Sequence, residues 1–330
     1  MKKISKKAKI SIISCVSVVA ILFVAVMVYY YGASFPGFKA IAKEEFKIPG
    51  LETKFTPQGM AYDSQTGKFL ISGYFKNQDA SRIYVIDKET GKTEKYVTLT
   101  TPEGEEYIGH AGGIAVYDNT GWIAGDKTLN RFSLSDLYSA ENEGSIDIID
   151  TLETPNGADF VTVYEGNLII GEFYREKNYP TDQSHHLTTS NGETNRALAL
   201  AYKINENENH ALDSITPIYG ISMTDLVQGM AFTSSGNIIL STSYSLPNSK
   251  LLVYVNPLNG EPQTSVEIDG HNINVYMLDN SNLNKTIEAP CMSEEIVAVD
   301  GRIYVLFENN CSQYRLFTRT RLSNVFSIVI

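Results

Sequence analysis

The sequence predicts an all-β protein, a single ring of four-stranded blades (a β-propeller) standing behind one apolar N-terminal helix. Two patterns carry this expectation. Gln58-Gly59-Met60-Ala61 returns as Gln228-Gly229-Met230-Ala231, with weaker copies at Gly112-Gly113-Ile114-Ala115, Gly157-Ala158-Asp159-Phe160-Val161 and Glu294-Glu295-Ile296-Val297. Each copy is followed by a short polar turn containing Gly and then by a β-rich run, and short strands with turn glycines at near-constant offset mark propeller blades. No segment shows the 3.6-residue apolar period of a helical solenoid.

The helix is read from the first 31 residues. Lys2, Lys3, Lys6, Lys7 and Lys9 form a basic tail over 1–9, and no charged residue occurs from Ile10 to Tyr31. About twenty apolar residues suffice to span a bilayer as a helix. Tyr29, Tyr30 and Tyr31 then fall at an interfacial aromatic belt, and the lysines place the N-terminus in the cytoplasm. The reading is a signal-anchor over 10–31 in the cell membrane, with the large domain extracytoplasmic. A cleaved signal peptide is the competing reading, against which stand the length of the apolar run and the poor cleavage site Tyr31-Gly32-Ala33-Ser34. Residues 32–45 read as a linker and 46–330 as the propeller.

The net charge of −11, once the five tail lysines are set aside, leaves −16 on the rest of the chain. Such a domain repels phosphate backbones, which excludes nucleic acid as a partner. The 20 Tyr and 14 Phe, with frequent Ile, Val and Thr, favour strands.

The blades follow in order. The first has strands at 59–62, 68–75, 81–87 and 95–99; the second at 113–117, 122–125, 129–134 and 146–152. The third has strands at 159–164 and 168–174, an insertion at 175–196, then 197–204. The fourth has 229–232, 238–244 and 251–255. The fifth has 295–299, 302–307, 314–318 and 325–330. That makes five blades, with room for a sixth in the poorly patterned stretch 256–289. Pro steps close successive blades at Thr101-Pro102, Thr154-Pro155 and Ala289-Pro290, and Ile48-Pro49 and Thr56-Pro57 resemble that ending. The N-terminal strand is therefore expected to complete the last blade and seal the sheet edge. Cys291 and Cys311 flank the Asp300-Gly301 hairpin turn, and pairing outward from it brings them nearly opposite, so a disulfide is expected.

In a propeller the inner strands line a channel and begin at one of its mouths. Gln58, His110, Asn156, Asp159, Gln228, Glu294 and Glu295 should converge there. The ends of the second strands arrive on the same face with Tyr74, Phe75, Asp126, Lys127, Glu172, Phe173, Tyr174, Tyr244, Glu308 and Asn309. Gln58, Asn156, Gln228, Tyr74, Tyr174, Tyr244 and Glu172 are the candidate ligand-binding residues, since amphipathic aromatics around a concave mouth suit a bound molecule. His110 is a candidate general base, against a structural histidine. His185-His186 in the insertion could bind a metal, although adjacent histidines without spaced carboxylates make a poor site. No nucleophile elbow, spaced Cys pair or phosphate loop is present.

Thr154-Pro155-Asn156-Gly157 and the run to Gly166 resemble the Pro-Asn-Gly blade start of the regucalcin/gluconolactonase-type and strictosidine-synthase-like propellers. That resemblance implies a divalent cation, commonly calcium, held at the channel mouth to polarise a lactone or ester carbonyl. Asn156 matches one ligand position, while Gln58 and Gln228 stand where the family has carboxylates. Calcium affinity depends on how many of the six to eight oxygen ligands are charged, so Asp159, Glu294 and Glu295 would have to serve with Asn156 as the metal set. The alternative is that the two glutamines tie blades together by hydrogen bonds. Two functions stay open: a membrane-anchored propeller binding a small molecule, glycan or protein, and a divalent-metal-dependent lactonase- or esterase-like hydrolase.

Overall fold

The computed structural model describes residues 6–31 and 35–330. The first five residues of the basic tail, and 32–34 of the expected linker, lie outside the described residues. Helix α1 (Lys6–Tyr31) is 26 residues long and exposes Val16, Val19, Leu22 and Phe23 among its apolar side chains. Its side chains are described at position 7 and from 14 to 29. Among the described residues no helix is long and apolar enough to cross a membrane.

From residue 35 onward the chain belongs to the ring. Helix α2 (Pro36–Ile41) opens with Pro, whose fixed φ suits a first helical position, and buries Phe38. Strand β1 (Ala42–Lys47) follows at once, so the folded domain starts ahead of residue 46. Blade 1 is β2 (Phe55–Asp63), β3 (Lys68–Phe75), β4 (Arg82–Asp87) and β5 (Thr93–Thr100). Blade 2 is β6 (Ile114–Tyr117), β7 (Thr120–Gly125), β8 (Thr128–Ser133) and, after α3 (Leu134–Ser139) and β9 (Ser145–Asp147), β10 (Asp150–Glu153). The run expected as one fourth strand is thus split. Its first half, β9, pairs in parallel with β5 on the edge of blade 1.

Blade 3 is β11 (Phe160–Tyr164) and β12 (Asn167–Gly171), an insertion bearing the small hairpin β13 (Leu187–Thr188) and β14 (Thr194–Asn195), then β15 (Ala197–Lys203) and β16 (Tyr219–Met223). Blade 4 is β17 (Val227–Phe232), β18 (Ile238–Thr242) and β19 (Ser249–Tyr254), a hairpin of β20 (Thr264–Ile268) and β21 (His271–Met277), and β22 (Leu283–Ala289). The stretch that could have held a sixth blade is therefore otherwise used: β21 extends blade 3 by pairing in parallel with β16, and β22 completes blade 4. Blade 5 is β23 (Ser293–Val299), β24 (Arg302–Phe307) and β25 (Asn324–Ile328). The stretch 314–318, expected as a strand, contains no strand and is turn over 314–317. The fourth strand is β1, paired from Ala42↔Ile328 to Lys47↔Asn324. The expected seal by the N-terminal strand is present.

Packing shows why there are five blades. The inner strands β2, β6, β11, β17 and β23 touch in that order, and β23 returns to β2. A strand turns alternate side chains to opposite faces, and here the two faces serve two neighbours. Phe69 and Ile71 pack against Tyr304 and Leu306 of blade 5, while Leu70 between them packs against Ile114 and Ile123 of blade 2. Trp122 and Ala124 meet Leu168 and Ile170, Ile169 meets Ile238 and Leu240, and Ile239 meets Ile303 and Val305. Each apolar cluster lies between two blades, and together they close the ring.

The expected disulfide is not formed, because Cys291 and Cys311 are free and buried. Strand register accounts for this. A bulge between Ser293 and Ile296 shifts the pairing, and the chain turns after Phe307, with Cys311 N–H donating to Glu308 O. Asn309 thereby comes opposite Cys291 and donates its Nδ2 to the Cys291 carbonyl at 2.9 Å. Cys311 packs instead with Phe55 and Phe75 as a small apolar residue.

Candidate functional site

Three inner strands carry a bulge at the same level. In β2, Pro57 pairs with Gly73 and Gly59 with Ser72, which leaves Gln58 as the extra residue. In β17, Val227 pairs with Thr242 and Gly229 with Ser241, which leaves Gln228 extra. In β23, Glu294 and Glu295 fall between Ser293↔Phe307 and Ile296↔Val305. A bulge frees its extra residue from the ladder and re-aims the side chain. The repeated Gln-Gly is thus the signature of a bulge at the channel mouth. The following glycine is required by close approach: a Cβ on Gly59 would lie 2.3 Å from the Gly112 carbonyl oxygen, just ahead of the next inner strand.

The mouth is a cavity of about 280 Å³. It gathers Gln58, Tyr74, His110, Asp159, Phe173, Gln228, Tyr244, Glu294 and Glu308 from the residues expected on this face, and adds Tyr179 and Tyr314. Glu294 and Glu308 are buried and hydrogen-bonded to each other, and Gln58 Nε2 donates to Glu308 Oε2 at 2.9 Å. Two carboxyl groups in hydrogen-bond contact must hold a proton between them. Burial, reinforced for Glu294 by the neighbouring carboxyl, pushes both groups up, Glu308 to about 8. Asp159 is raised to about 6 by burial, opposed by the Phe173 N–H that it accepts at 2.6 Å. No Lys or Arg stands among the residues lining this cavity.

His110 packs its ring on Tyr74 with centroids 4.6 Å apart, and burial lowers its pKa, with Asp126 opposing. Burial thus favours its uncharged form. Its backbone N–H donates to Asp126 Oδ2 at 2.7 Å. At the rim, the Arg175 guanidinium lies 4.0 Å from the centroid of the Tyr244 ring.

Other expected residues sit elsewhere. Asn156 and Glu172 line an adjacent cavity of about 300 Å³ beneath the insertion, with Lys127 and His185. Asn156 spends its amide on the carbonyls of Ile170 and Leu198, at 2.8 and 3.0 Å. Glu172 accepts from Leu198 N–H at 2.9 Å and meets His185 Nδ1 at 3.0 Å, so this buried pair pins the insertion. His186 Nε2 contacts Thr181 Oγ1 at 3.0 Å, and its ring stands edge-on to the buried Tyr174, away from the mouth. Glu295 lies below the floor, where a Cβ on Gly113 or Gly229 would come within 2.6 or 2.8 Å of its oxygens, and burial raises its pKa well above the usual range.

The set Asn156, Asp159, Glu294 and Glu295 is therefore spread over two adjacent cavities, both lined by Asp159, and the channel interior. Among the described residues no group of three or more His, Cys, Asp and Glu could hold a metal ion. The residues do not fit the calcium site that the regucalcin-type resemblance implies. Glu308 was expected on this face as a second-strand end but not among the ligand or metal residues, and it is the acid that meets Glu294. Tyr179 and Tyr314 come from an insertion and a loop, whose paths no periodicity describes.

No family model matches the chain, and no curated protein matches it in sequence. Among solved structures, a glutaminyl cyclase from Myxococcus xanthus is similar at 11% identity and a TM-score of 0.45, over 88% of this chain and 97% of that one. The PQQ-bound form of an aldose sugar dehydrogenase from Streptomyces coelicolor is similar at 11% identity and a TM-score of 0.47, over the same shares. Likeness this weak carries no argument about the site, and the assignment of five blades rests on the strand pairing itself.

Proposed function

We propose that the chain is a membrane-anchored, extracytoplasmic propeller that binds a small molecule bearing an ammonium group at its channel mouth. The observation that supports this most is the buried Glu294–Glu308 pair, enclosed with Asp159 in an aromatic cavity whose lining includes no Lys or Arg. Buried carboxylates need a counter-charge or a proton. A cationic ligand supplies the first and displaces the second. Tyr74, Phe173, Tyr244 and Tyr314 line the cavity, and aromatic rings attract cations, as Arg175 on Tyr244 illustrates. A volume of about 280 Å³ takes one small molecule or one side chain of a larger partner. The anchor reading is supported by the sequence, which carries no charge from Ile10 to Tyr31 and five lysines ahead of that run.

The test is a thermal-shift series on the detergent-solubilised full chain, with small primary and quaternary amines, neutral sugars and calcium. A ligand that binds only the folded state raises its melting temperature by mass action. Amines should raise it above pH 8, and the shift should vanish in Glu294→Gln and Glu308→Gln proteins. A shift with sugars alone would overturn the amine reading. A calcium shift abolished by Asn156→Ala would restore the metal-dependent hydrolase.

A further inference from the structure

The loop from β24 to β25 differs in composition from the rest of the domain. On a domain with a net charge of −16, taken without the five tail lysines, no acidic residue follows Glu308, while Arg315, Arg319 and Arg321 crowd into seven positions. Between them Leu316 and Phe317 are 70% and 61% exposed, side by side. Adjacent exposed apolar side chains rimmed by cations mark an interaction surface, and the pattern is that of a segment lying in a headgroup layer, with apolar side chains inserted and arginines reaching phosphates.

The position of this loop supplies the second argument. It is the second-to-third connection of blade 5, on the mouth face, and Tyr314 at its base is a wall of the cavity. Arg319 Nη2 donates to Asn248 Oδ1 of the neighbouring mouth-face turn at 2.7 Å. The same loop touches the end of α1, for Tyr29 Oη donates to the Phe317 carbonyl at 3.1 Å and the Arg319 guanidinium lies 5.3 Å from the Tyr29 ring centroid. Tyr29 opens the tyrosine run that would mark the bilayer interface. A loop held to that point of the helix sits at headgroup depth. From this placement and charge complementarity we infer that the β24–β25 loop is a membrane-contacting surface for an anionic lipid layer, which turns the channel mouth toward the bilayer. The inference rests on α1 being an anchor, and it means that a ligand reaches the cavity along the membrane surface.

The experiment uses the full chain in a Cys15→Ser background, with Phe317→Cys or, on the opposite face between β15 and β16, Ile215→Cys. Each is labelled with an environment-sensitive fluorophore and reconstituted into phosphatidylcholine vesicles, with and without phosphatidylglycerol, carrying headgroup-depth spin-labelled lipid as quencher. The probe at Phe317→Cys should be blue-shifted and quenched severalfold more than that at Ile215→Cys. The difference should shrink without phosphatidylglycerol and after Arg315→Glu with Arg321→Glu. Equal quenching at both sites in protein that stays with the vesicles through an alkaline wash overturns the orientation alone. Loss of the chain in that wash overturns the anchor, and the orientation with it.

Discussion

Glu308 shows how much of the site depends on a single proton. Its carboxyl is buried against Glu294 and receives the Gln58 amide, and burial lifts its pKa to about 8 from an ordinary value of 4.5. A group whose folded pKa exceeds its unfolded one adds stability that is full below the unfolded value and is lost as pH rises through the folded value. Stability should therefore decline between about pH 4.5 and about pH 8, by on the order of a few kcal/mol. Glu308→Gln keeps the Glu294 contact without the titration, so its melting temperature should exceed that of the parent above pH 8 and match it near pH 5. Parallel melting curves across that range would refute the shared proton. Gln58, Gln228 and Glu294 were legible in the sequence as mouth residues because they recur at a fixed offset in the repeat. Their bulged geometry, and the pairing of Glu294 with Glu308, depend on ladder register between strands, which no single-strand pattern encodes.

At the scale of the strand, the second strands of three blades share a device. Gly73, Gly121 and Gly171 each lie under the ring of a phenylalanine (Phe55, Phe132 and Phe160), so that a Cβ there would approach ring atoms within 2.0–2.6 Å. Phe160 and Phe132 are fully buried members of inter-blade clusters and cannot swing away. Overpacking of this kind costs about 1–3 kcal/mol. Gly171→Ala should lower the urea midpoint accordingly, and a neutral result would show that the Phe160 ring has room to move. These glycines were readable as strand residues, but the overlying rings come from neighbouring strands. The same limit explains the last blade. The N-terminal strand was expected in it from the Pro-step pattern, whereas residues 314–318 were read as a strand although they form the turn of the mouth loop, because a short β-rich run alone does not tell a strand from a packed loop.

For the whole molecule, closure is the decisive feature. Residues 35–47 bring Phe35, Phe38 and Phe46 into the two clusters that flank blade 5, and β1 supplies its outer strand. Burying three such side chains stabilises by roughly 5–9 kcal/mol, about as much as the net stability of a typical domain. Removal of residues 1–34 should leave one cooperative thermal transition, and removal of residues 1–47 should abolish it or cause aggregation through the freed edge of β25. A cooperative melt of the shorter protein, little changed in midpoint, would refute the role given to the seal.

By itself the sequence determined the ring, its N-terminal seal and the existence of one inner strand per blade, since these follow from local alternation, turn glycines and a repeat. Only the tertiary structure decided that the fourth-blade hairpin extends blade 3, that Asn309 and not Cys311 faces Cys291, and that the repeated glutamine is a bulge beside a proton-sharing acid pair. Each of these turns on the register between strands or the path of a loop. A shift of one residue there reverses which side chains meet, while the local sequence pattern stays the same.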